Sequence, residues 1–294
     1  GGSEIWHKDI AEVRVESPDG LNGSQIAEII CKTGEKIVGK SSKGAEKFVI
    51  TESSQNGEST TVTIIATDYA GNQTVVTDRV FVDRDAPKAL IQGVEDYTIT
   101  SKPVQVSYLA EEENVIQTVR ANILKEDIDG KKEETEITEW KTKSRNESGD
   151  TKKESVQTLA EDGLYKLRMN VTDMAGNVSH AERQLIIDKE NPVIAHVDEL
   201  DGKYLKKFSW NYSIEESIKD FTNYTYVMKV DDAFYRPGEK IEKEGVHVLT
   251  IEAFDSAGNK GEAKARFTID HTPPVIEFEE IEDGEKYEKE KTFY

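Results

Sequence analysis

Hydrophobic and polar residues alternate along much of this chain with a period of two. In the clearest run, residues 165–171, every second residue is apolar and the residues between are polar. Equivalent runs end at residues 66 and 253, and after each run the alternation resumes within a few residues. Such a pattern places apolar side chains on one face of a strand and polar side chains on the other. It predicts an all-β fold built from pairs of half-buried strands.

A single phrase, Asp-x-Ala-Gly-Asn, joins the two strands of each predicted pair. Its fixed residues are Asp68, Gly71 and Asn72, then Asp173, Gly176 and Asn177, then Asp255, Gly258 and Asn259. In a hairpin turn, Gly and Asn can supply positive φ angles, and the Asp side chain can accept N–H groups of the turn. We interpret these nine residues as structural turns that need no ligand.

The phrase is part of a longer repeat. Fifteen residues after its first Asp comes a second Asp (Asp83, Asp188, Asp270), and nineteen residues after it comes a Pro (Pro87, Pro192, Pro274). A phrase in fixed register indicates a tandem structural repeat. The predicted domains are residues 1–83, which diverge most, 84–188, 189–270, and 271–294 as the truncated start of a fourth repeat. The second domain is the longest, with its excess in a charged insertion near 125–153.

The composition excludes several classes of partner. The chain has 58 Asp and Glu against 38 Lys and Arg, a formal net charge of −20 at pH 7. A negative surface repels nucleic-acid phosphates and anionic membranes, so we expect no nucleic-acid partner and no membrane insertion in this fragment. Solubility and the binding of divalent cations remain open to it. The single cysteine, Cys31, lies in an apolar run, excludes an internal disulfide and is expected to be buried.

These residues resemble the bacterial immunoglobulin-like repeats of large Gram-positive cell-surface proteins. The shared pattern is Asp-x-Ala-Gly-Asn, then Ile or Val before Asp, then Pro, and it covers the C-terminal third of each domain. The resemblance implies tandem immunoglobulin-like β-sandwiches of about seven strands in an extended array. It also implies an extracellular location and a role as a stalk, an adhesin or a module attached to a secreted enzyme. It implies no catalytic residues.

The junctions between the domains carry the candidate metal ligands. These are Asp83, Asp85, Asp188, Glu190 and Asp270. Calcium takes roughly six to eight oxygen ligands, so the linkers need help from neighbouring loops such as 111–113 or 215–216. In the alternative interpretation, each linker Asp caps a turn or ties the end of a strand. Calcium is the one cofactor that the sequence leaves open.

Four aromatic or histidine residues have predicted roles. Trp140 lies in the polar insertion, where nothing demands burial, so it is the candidate exposed contact for a glycan or a host protein. Trp210 lies in an alternating run and is predicted to be buried. The run 162–165, Asp-Gly-Leu-Tyr, resembles the tyrosine corner of sandwich folds, and the third domain has His247 in place of Tyr165.

The partial matches to enzyme and metal-binding motifs in this sequence lack the context that their chemistry requires. Residues 34–41 formally match a phosphate-binding loop, but the segment that follows is β-rich instead of helical. Residues 127–136 half-fit a calcium loop, but Lys125 stands where the first carboxylate is required, and an Asp-Gly turn explains the rest. The five histidines show no metal-ligand spacing. We predict that the chain is not an enzyme.

The function that these observations favour is a non-catalytic extracellular spacer, stalk or adhesion module of a bacterial surface protein, present as a monomeric rod. One alternative is a glycan- or host-protein-binding module that acts through Trp140. A second is a rod made rigid by calcium at Asp83, Asp188 and Asp270. A third is the accessory region of a secreted hydrolase.

Overall fold

The computed structural model of the protein describes residues 5–17, 23–54, 58–147 and 149–276. The chain forms two compact units, one of residues 1–190 with 256–258 and one of residues 191–255 with 259–294. Nearly all regular structure in the described residues is β-strand, as the alternation predicts. The predicted fourth repeat lies outside the described residues from 277 onward.

The first unit begins with a two-sheet sandwich. Its strands are β1 (Trp6–His7), β2 (Ala11–Glu16), β3 (Ile26–Thr33), β4 (Lys36–Ser41), β5 (Ala45–Ile50), β6 (Thr60–Asp68) and β7 (Gln73–Val82). One sheet has the order β1-β7-β6-β3-β4, and the other is the antiparallel pair β2-β5. The core between them includes Ile29, Phe48, Ile50 and Cys31, whose burial confirms the expectation from its apolar run.

A second, larger sandwich completes the first unit. Its strands are β8 (Lys88–Gln92), β9 (Thr98–Thr100), β10 (Val104–Glu111), β11 (Ile116–Glu126), β12 (Lys132–Glu136), β13 (Lys141–Arg145), β14 (Asp150–Leu159), β15 (Gly163–Asp173) and β16 (Val178–Ile187). The sheets have the orders β13-β14-β10-β8 and β12-β11-β15-β16-β9. The alternating residues 165–171 fill the core with Tyr108. The charged insertion forms β12, β13 and the hairpin arms beside them.

The second unit contains the third sandwich. Its elements are β17 (Val193–Ile194), a 3₁₀ turn (Asp198–Leu200), β18 (Tyr204–Leu205), α1 (Ile214–Ser217), β19 (Ile218–Lys219), β20 (Tyr224–Val230), β21 (Ala233–Phe234), β22 (Gly245–Asp255) and β23 (Lys260–Ile269). The larger sheet has the order β18-β23-β22-β20-β21, and β17 pairs with β19. Trp210 is 3% exposed and lies in this core, as predicted. Among the described residues, no helix has the length and apolar character needed to span a membrane.

The larger sheets of the three sandwiches share one topology. In each, a short edge strand (β1, β9 or β18) pairs parallel with the last strand (β7, β16 or β23). That last strand forms an antiparallel hairpin with the strand before it, across the repeated phrase. Two sheets of antiparallel strands with this connectivity form an immunoglobulin-like β-sandwich.

The corner before the hairpin is closed by a side chain in two of the sandwiches. In the second, the Tyr165 hydroxyl donates to the Glu161 carbonyl at 2.7 Å, the bond that defines a tyrosine corner. In the third, His247 takes the same place, and its Nε2 lies 2.6 Å from the Lys243 carbonyl, also four residues upstream. The histidine therefore substitutes for the tyrosine in the same backbone contact.

Both ring nitrogens of the buried His247 face hydrogen-bond acceptors. Nε2 meets the Lys243 carbonyl, and Nδ1 lies 2.6 Å from Oδ2 of Asp231. An imidazole satisfies two acceptors only when both nitrogens carry protons. Burial works to lower the pKa of His247, but the bonds to Lys243 and Asp231 outweigh it, and the pKa is raised.

We predict that the third sandwich loses stability as the pH rises through the folded-state pKa of His247. Because this pKa lies above that of the unfolded chain, about 6.5, the contribution is complete below that pH and is lost above the folded pKa. Urea unfolding of the wild type and of His247→Tyr, from about pH 6 to about pH 9, measures it. The difference between their free energies of unfolding should change with pH, and parallel curves would contradict the protonated ring.

Candidate functional site

The repeated turn is closed by a two-point clasp between its Asp and its Asn. The Asn backbone N–H donates to one carboxylate oxygen at 2.8, 2.8 and 2.7 Å in the three copies. The Asn side-chain amide donates to the other oxygen at 2.8, 2.8 and 2.6 Å. The Gly takes the positive φ, at 90°, 87° and 91°.

The prediction that the Asn also takes a positive φ is wrong. No Asn of the phrase is among the described residues with positive φ. The Asn is needed for its side chain, because only a short amide reaches back to the carboxylate while its own backbone N–H binds the other oxygen.

The same turn is exposed in the first sandwich and buried in the second. Asn72 is exposed, whereas Asp173 and Asn177 are 0% and 2% exposed. The difference arises because the second turn lies against the linker from the first sandwich. The Asn177 amide donates to the Asp83 carbonyl at 3.0 Å as well as to Asp173. The turn that closes one domain therefore also holds the end of the preceding one.

Asp83, which is 1% exposed, ties the two sandwiches together through its backbone and its side chain. Its backbone N–H donates to the His7 carbonyl of the first sandwich at 2.9 Å. Its Oδ2 accepts the Asn114 amide of the second sandwich at 2.7 Å, and its Oδ1 accepts the Asp85 N–H at 3.0 Å. The Asn114 amide also reaches the Ser54 carbonyl at 3.4 Å. Burial raises the pKa of Asp83 in spite of these donors.

A second acidic side chain, Glu112, is buried in the same junction. It is 8% exposed, and its Oε1 accepts the N–H groups of Glu113 at 2.7 Å and Asn114 at 3.1 Å. Burial, with the negative charges of Asp83 and Asp173 in support, raises the pKa of Glu112 to about 7. A substantial fraction of Glu112 is therefore protonated at neutral pH.

The junction also forms an acidic groove, which bears on the predicted calcium site. Its lining residues are Asp85, Ala86, Lys88, Glu111, Glu112 and Glu113. The structure thus places the linker beside the 111–113 loop, the predicted source of further calcium ligands. Two cations compete for these oxygens, because Lys88 lines the groove and Lys152 forms an ion pair with Glu111. Ligation of calcium here stays a prediction.

All three linker aspartates make the bond expected of a turn cap. In each linker, the Asp Oδ1 accepts a hydrogen bond from the backbone N–H two residues later in the chain. The distances are 3.0 Å for Asp85 donating to Asp83, 3.2 Å for Glu190 donating to Asp188, and 2.9 Å for Thr272 donating to Asp270. Asp188 is buried, while Glu190 and Asp270 are exposed. The capping interpretation therefore accounts for one oxygen of each linker Asp.

Trp140 is not a freely exposed platform. It is half-buried, packs against the core of the second sandwich and donates its indole N–H to the Ile137 carbonyl at 3.2 Å. The insertion folds into hairpins and is not a polar loop, and Trp140 therefore lies at the edge of the hydrophobic core. A binding role for Trp140 stays a prediction, limited to the part of the ring that remains accessible.

The partner of the Asp83 side chain in the second sandwich was not predicted. Asn114 lies 31 residues from Asp83 in the chain and does not belong to the repeated phrase. Ser54, whose carbonyl also accepts the Asn114 amide, lies 29 residues from Asp83. The sequence feature that pointed to this junction was the acidic run beside Asn114. It predicted the involvement of the loop but not the role of the Asn114 amide.

A family model described as a bacterial Ig-like domain matches residues 116–189. This segment runs from β11 to the end of the second sandwich. The match confirms, for that sandwich, the resemblance drawn from the repeated phrase. No curated protein matches the chain.

Several solved structures of tandem domains are similar to this chain. A tetra-tandem repeat in the extending region of a large adhesion protein is 15% identical, with 90% of this chain and 71% of that chain covered and a TM-score of 0.38. Protocadherin gamma B2 extracellular cadherin domains 3–6 are 12% identical, with coverage of 86% and 69% and a TM-score of 0.37. Sidekick-1 immunoglobulin domains 1–5 are 10% identical, with coverage of 90% and 58% and a TM-score of 0.34. At these low scores, the fold assignment rests on the strand topology.

We predict that Asn177→Ala destabilises the second sandwich by about 2–4 kcal/mol, because it leaves a buried carboxylate oxygen of Asp173 and the Asp83 carbonyl without a donor. The matched variant Asn72→Ala removes the same amide from an exposed turn and should cost about 1 kcal/mol or less. Urea unfolding of both variants measures the difference. Equal losses would show that the second turn does not hold the linker.

We predict that Glu112→Gln removes a stability loss that the wild type shows as the pH rises from about 4.5 to about 7. In that range the unfolded carboxyl is ionised while the folded one keeps its proton, so folding binds a proton and weakens as the pH rises. Above about 7 the contribution is constant. The check is the difference between wild-type and variant free energies of unfolding across this range, and a constant difference would contradict the raised pKa.

Proposed function

We propose that this chain is a non-catalytic spacer, or stalk, of a bacterial cell-surface protein, which holds an attached domain away from the cell. Three sandwiches in tandem, each with its own core, support the proposal. The match of residues 116–189 to a bacterial Ig-like domain supports an extracellular location. The repeated phrase, which resembles that of Gram-positive surface proteins, supports a cell-wall setting.

The observation that carries the proposal is the tie made by Asp83. A spacer has to resist bending at its linkers, and a linker without bonds to its neighbours would act as a swivel. Here the linker is short, and Asp83 bonds to His7 on one side and to Asn114 on the other. Because Asp83 is buried, a swivelling motion would leave its carboxylate without donors, at a cost of about 1–3 kcal/mol or more.

The charge of the chain fits the same role. A net charge of −20 keeps neighbouring copies apart and keeps each one solvated. Many of the lysines are already engaged in exposed ion pairs, such as Lys36 with Glu52 and Lys40 with Glu28. Exposed pairs of this kind contribute about 0–1 kcal/mol each, so the acidic excess serves solubility more than stability.

The spacer role is tested by the height of a tag on the bacterial surface. The full chain is displayed between a wall anchor and a fluorescent tag, and the distance of the tag from the wall is measured by super-resolution microscopy. Deletion of residues 84–188, one whole sandwich, should bring the tag closer to the wall.

The matched control replaces residues 84–188 with a Gly/Ser chain of the same length. A flexible chain of these 105 residues has a root-mean-square span of about 50–60 Å but no fixed length. The folded sandwich, whose longest strands have 11 residues, is about 36 Å long and has a fixed length. The control should therefore broaden the distribution of tag heights, and a distribution as narrow as that of the wild type would contradict a spacer that depends on folded sandwiches.

A spacer stiffened by calcium is the second candidate. The groove that brings Asp85 together with Glu111, Glu112 and Glu113 favours it, because calcium prefers several carboxylate oxygens in one place. The proton on Glu112 would compete with the ion. The two candidates differ in one respect: the plain spacer keeps its first junction in a chelator, and the calcium spacer does not.

A further inference from the structure

The outer face of the larger sheet in the third sandwich is more apolar than its exposure to solvent requires. In an antiparallel sheet with one solvated face, the outward residues are expected to be polar. On β22, however, the outward residues Val246, Val248 and Phe254 are apolar and exposed. The edge strands β18 and β21 carry Tyr204 and Phe234, which are 77% and 82% exposed. Five large apolar side chains of this sandwich are therefore open to solvent.

Strand pairing places both exposed aromatic rings on this same face. Tyr204 of β18 pairs with Thr268 of β23, which pairs with Val246 of β22. Phe234 of β21 pairs with Lys229 of β20, which pairs with β22 four residues after Val246. Paired residues point to the same side of a sheet, and residues four apart on one strand do so too. We term this surface, with Tyr204 at one edge and Phe234 at the other, the aromatic face.

The second sandwich has an equivalent sheet but a different surface on it. Matching the strand registers of the two sheets gives the equivalent residues, which are Glu136 for Phe234, Lys166 for Val248, Thr172 for Phe254 and Ile99 for Tyr204. Three of these four positions are polar or charged in the second sandwich, so the fold itself does not require apolar residues there. An exposed apolar surface that the fold does not require indicates a binding site.

The charged side chains of the aromatic face bind mostly to one another. Three lysines and two glutamates form a continuous network of ion pairs, in the order Lys229, Glu252, Lys260, Glu262 and Lys264. Arg266, which pairs with Val248, adds a guanidinium to the same face. Because most of these charges are compensated, the face does not select a charged ligand by attraction. Its N–H donors and carboxylate oxygens can instead bind hydroxyl groups.

The two aromatic rings are too far apart for one small ligand. They lie four strand spacings apart, about 19 Å, and their positions along the strands differ by four residues, about 14 Å. Together these offsets give a separation of about 24 Å across the sheet. A ligand that contacts both rings must therefore be an extended chain of several units.

Aromatic rings beside hydroxyl-binding groups are the chemistry that recognises sugars. The C–H groups on one face of a pyranose ring pack against an aromatic ring, while the hydroxyl groups at its rim exchange hydrogen bonds with polar side chains. Sugars joined by β-1,4 linkages form an extended, flat chain, which suits a sheet face better than the coiled chain that α-1,4 linkages produce. The aromatic face offers rings at its two edges and polar groups between them.

We propose that the aromatic face binds an uncharged, β-1,4-linked polysaccharide, which crosses the strands with one sugar on Tyr204 and another on Phe234. Arg266 and the network of lysines and glutamates would bind hydroxyl groups of the sugars between them. Once one ring is occupied, the other meets the same chain at a high effective concentration, so the two contacts reinforce each other. This site lies in a different sandwich from Trp140, the glycan contact predicted from the sequence. It does not depend on the spacer role.

Calorimetric titration of the full chain with cellohexaose and chitohexaose, β-1,4-linked chains of glucose and of N-acetylglucosamine, tests the proposal. At least one should bind, and its disaccharide should bind about tenfold more weakly or worse, because it reaches only one ring. Tyr204→Ile and Phe234→Glu, which introduce the residues of the second sandwich, should each weaken binding by roughly tenfold. The double variant should abolish binding. The matched control, Tyr69→Ser, removes a similarly exposed ring from the first sandwich and should bind like the wild type.

NMR of the isotope-labelled wild-type chain locates the site without any variant. The hexasaccharide should shift the amides of Val246, Val248 and Thr250. Absence of binding by both hexasaccharides, binding that survives the double variant, or shifts confined to other surfaces would overturn the proposal. Self-association of the chain that the double variant abolishes, without any sugar binding, would also overturn it and would identify the aromatic face as a contact between proteins.

Discussion

Buried carboxylates need donors, and this need organises the first junction. Asp173 is fully buried and Asp83 nearly so, and a buried carboxylate without hydrogen-bond donors is too costly to persist in a folded protein. Asn177 serves Asp173 and the Asp83 backbone together, and Asn114 serves the Asp83 side chain. Both amides belong to the second sandwich, whereas Asp83 directly follows the last strand of the first. The hydrogen bonds that satisfy the Asp83 carboxylate and carbonyl therefore also position the two domains. Removal of one donor disturbs a turn, a linker and an interface together.

Most of the fold could be predicted from local sequence signals. Period-two alternation gave the long central strands, and the repeated phrase gave the hairpins, because both depend on neighbours within a few residues. The corner at Tyr165 was also local, since its bond reaches back four residues to Glu161. His247 shows the limit of the pattern: its position matched the tyrosine, but its second partner, Asp231, comes from another hairpin.

The parts that could not be predicted depend on contacts between distant segments. The acidic loop 111–113 was predicted to assist the linker, but the Asn114 amide that holds Asp83 was not predicted. Trp140 was expected to be exposed because its neighbours in sequence are polar, yet a fold buries a side chain according to its neighbours in space. Val76, on the same face of β7 as the core residues Val80 and Val82, is 57% exposed because the facing sheet has only two described strands to cover it.

The central claim is that the first junction is held by the protein's own N–H donors. Spin labels at Arg79→Cys in the first sandwich and Lys131→Cys in the second give the distance across it by pulsed electron resonance, and Cys31, which is 0% exposed, is shielded from labelling. The account predicts one narrow distance distribution that is the same in calcium and in chelator. A broad distribution in chelator that narrows on addition of calcium would contradict it and would establish the metal as the element that holds the joint.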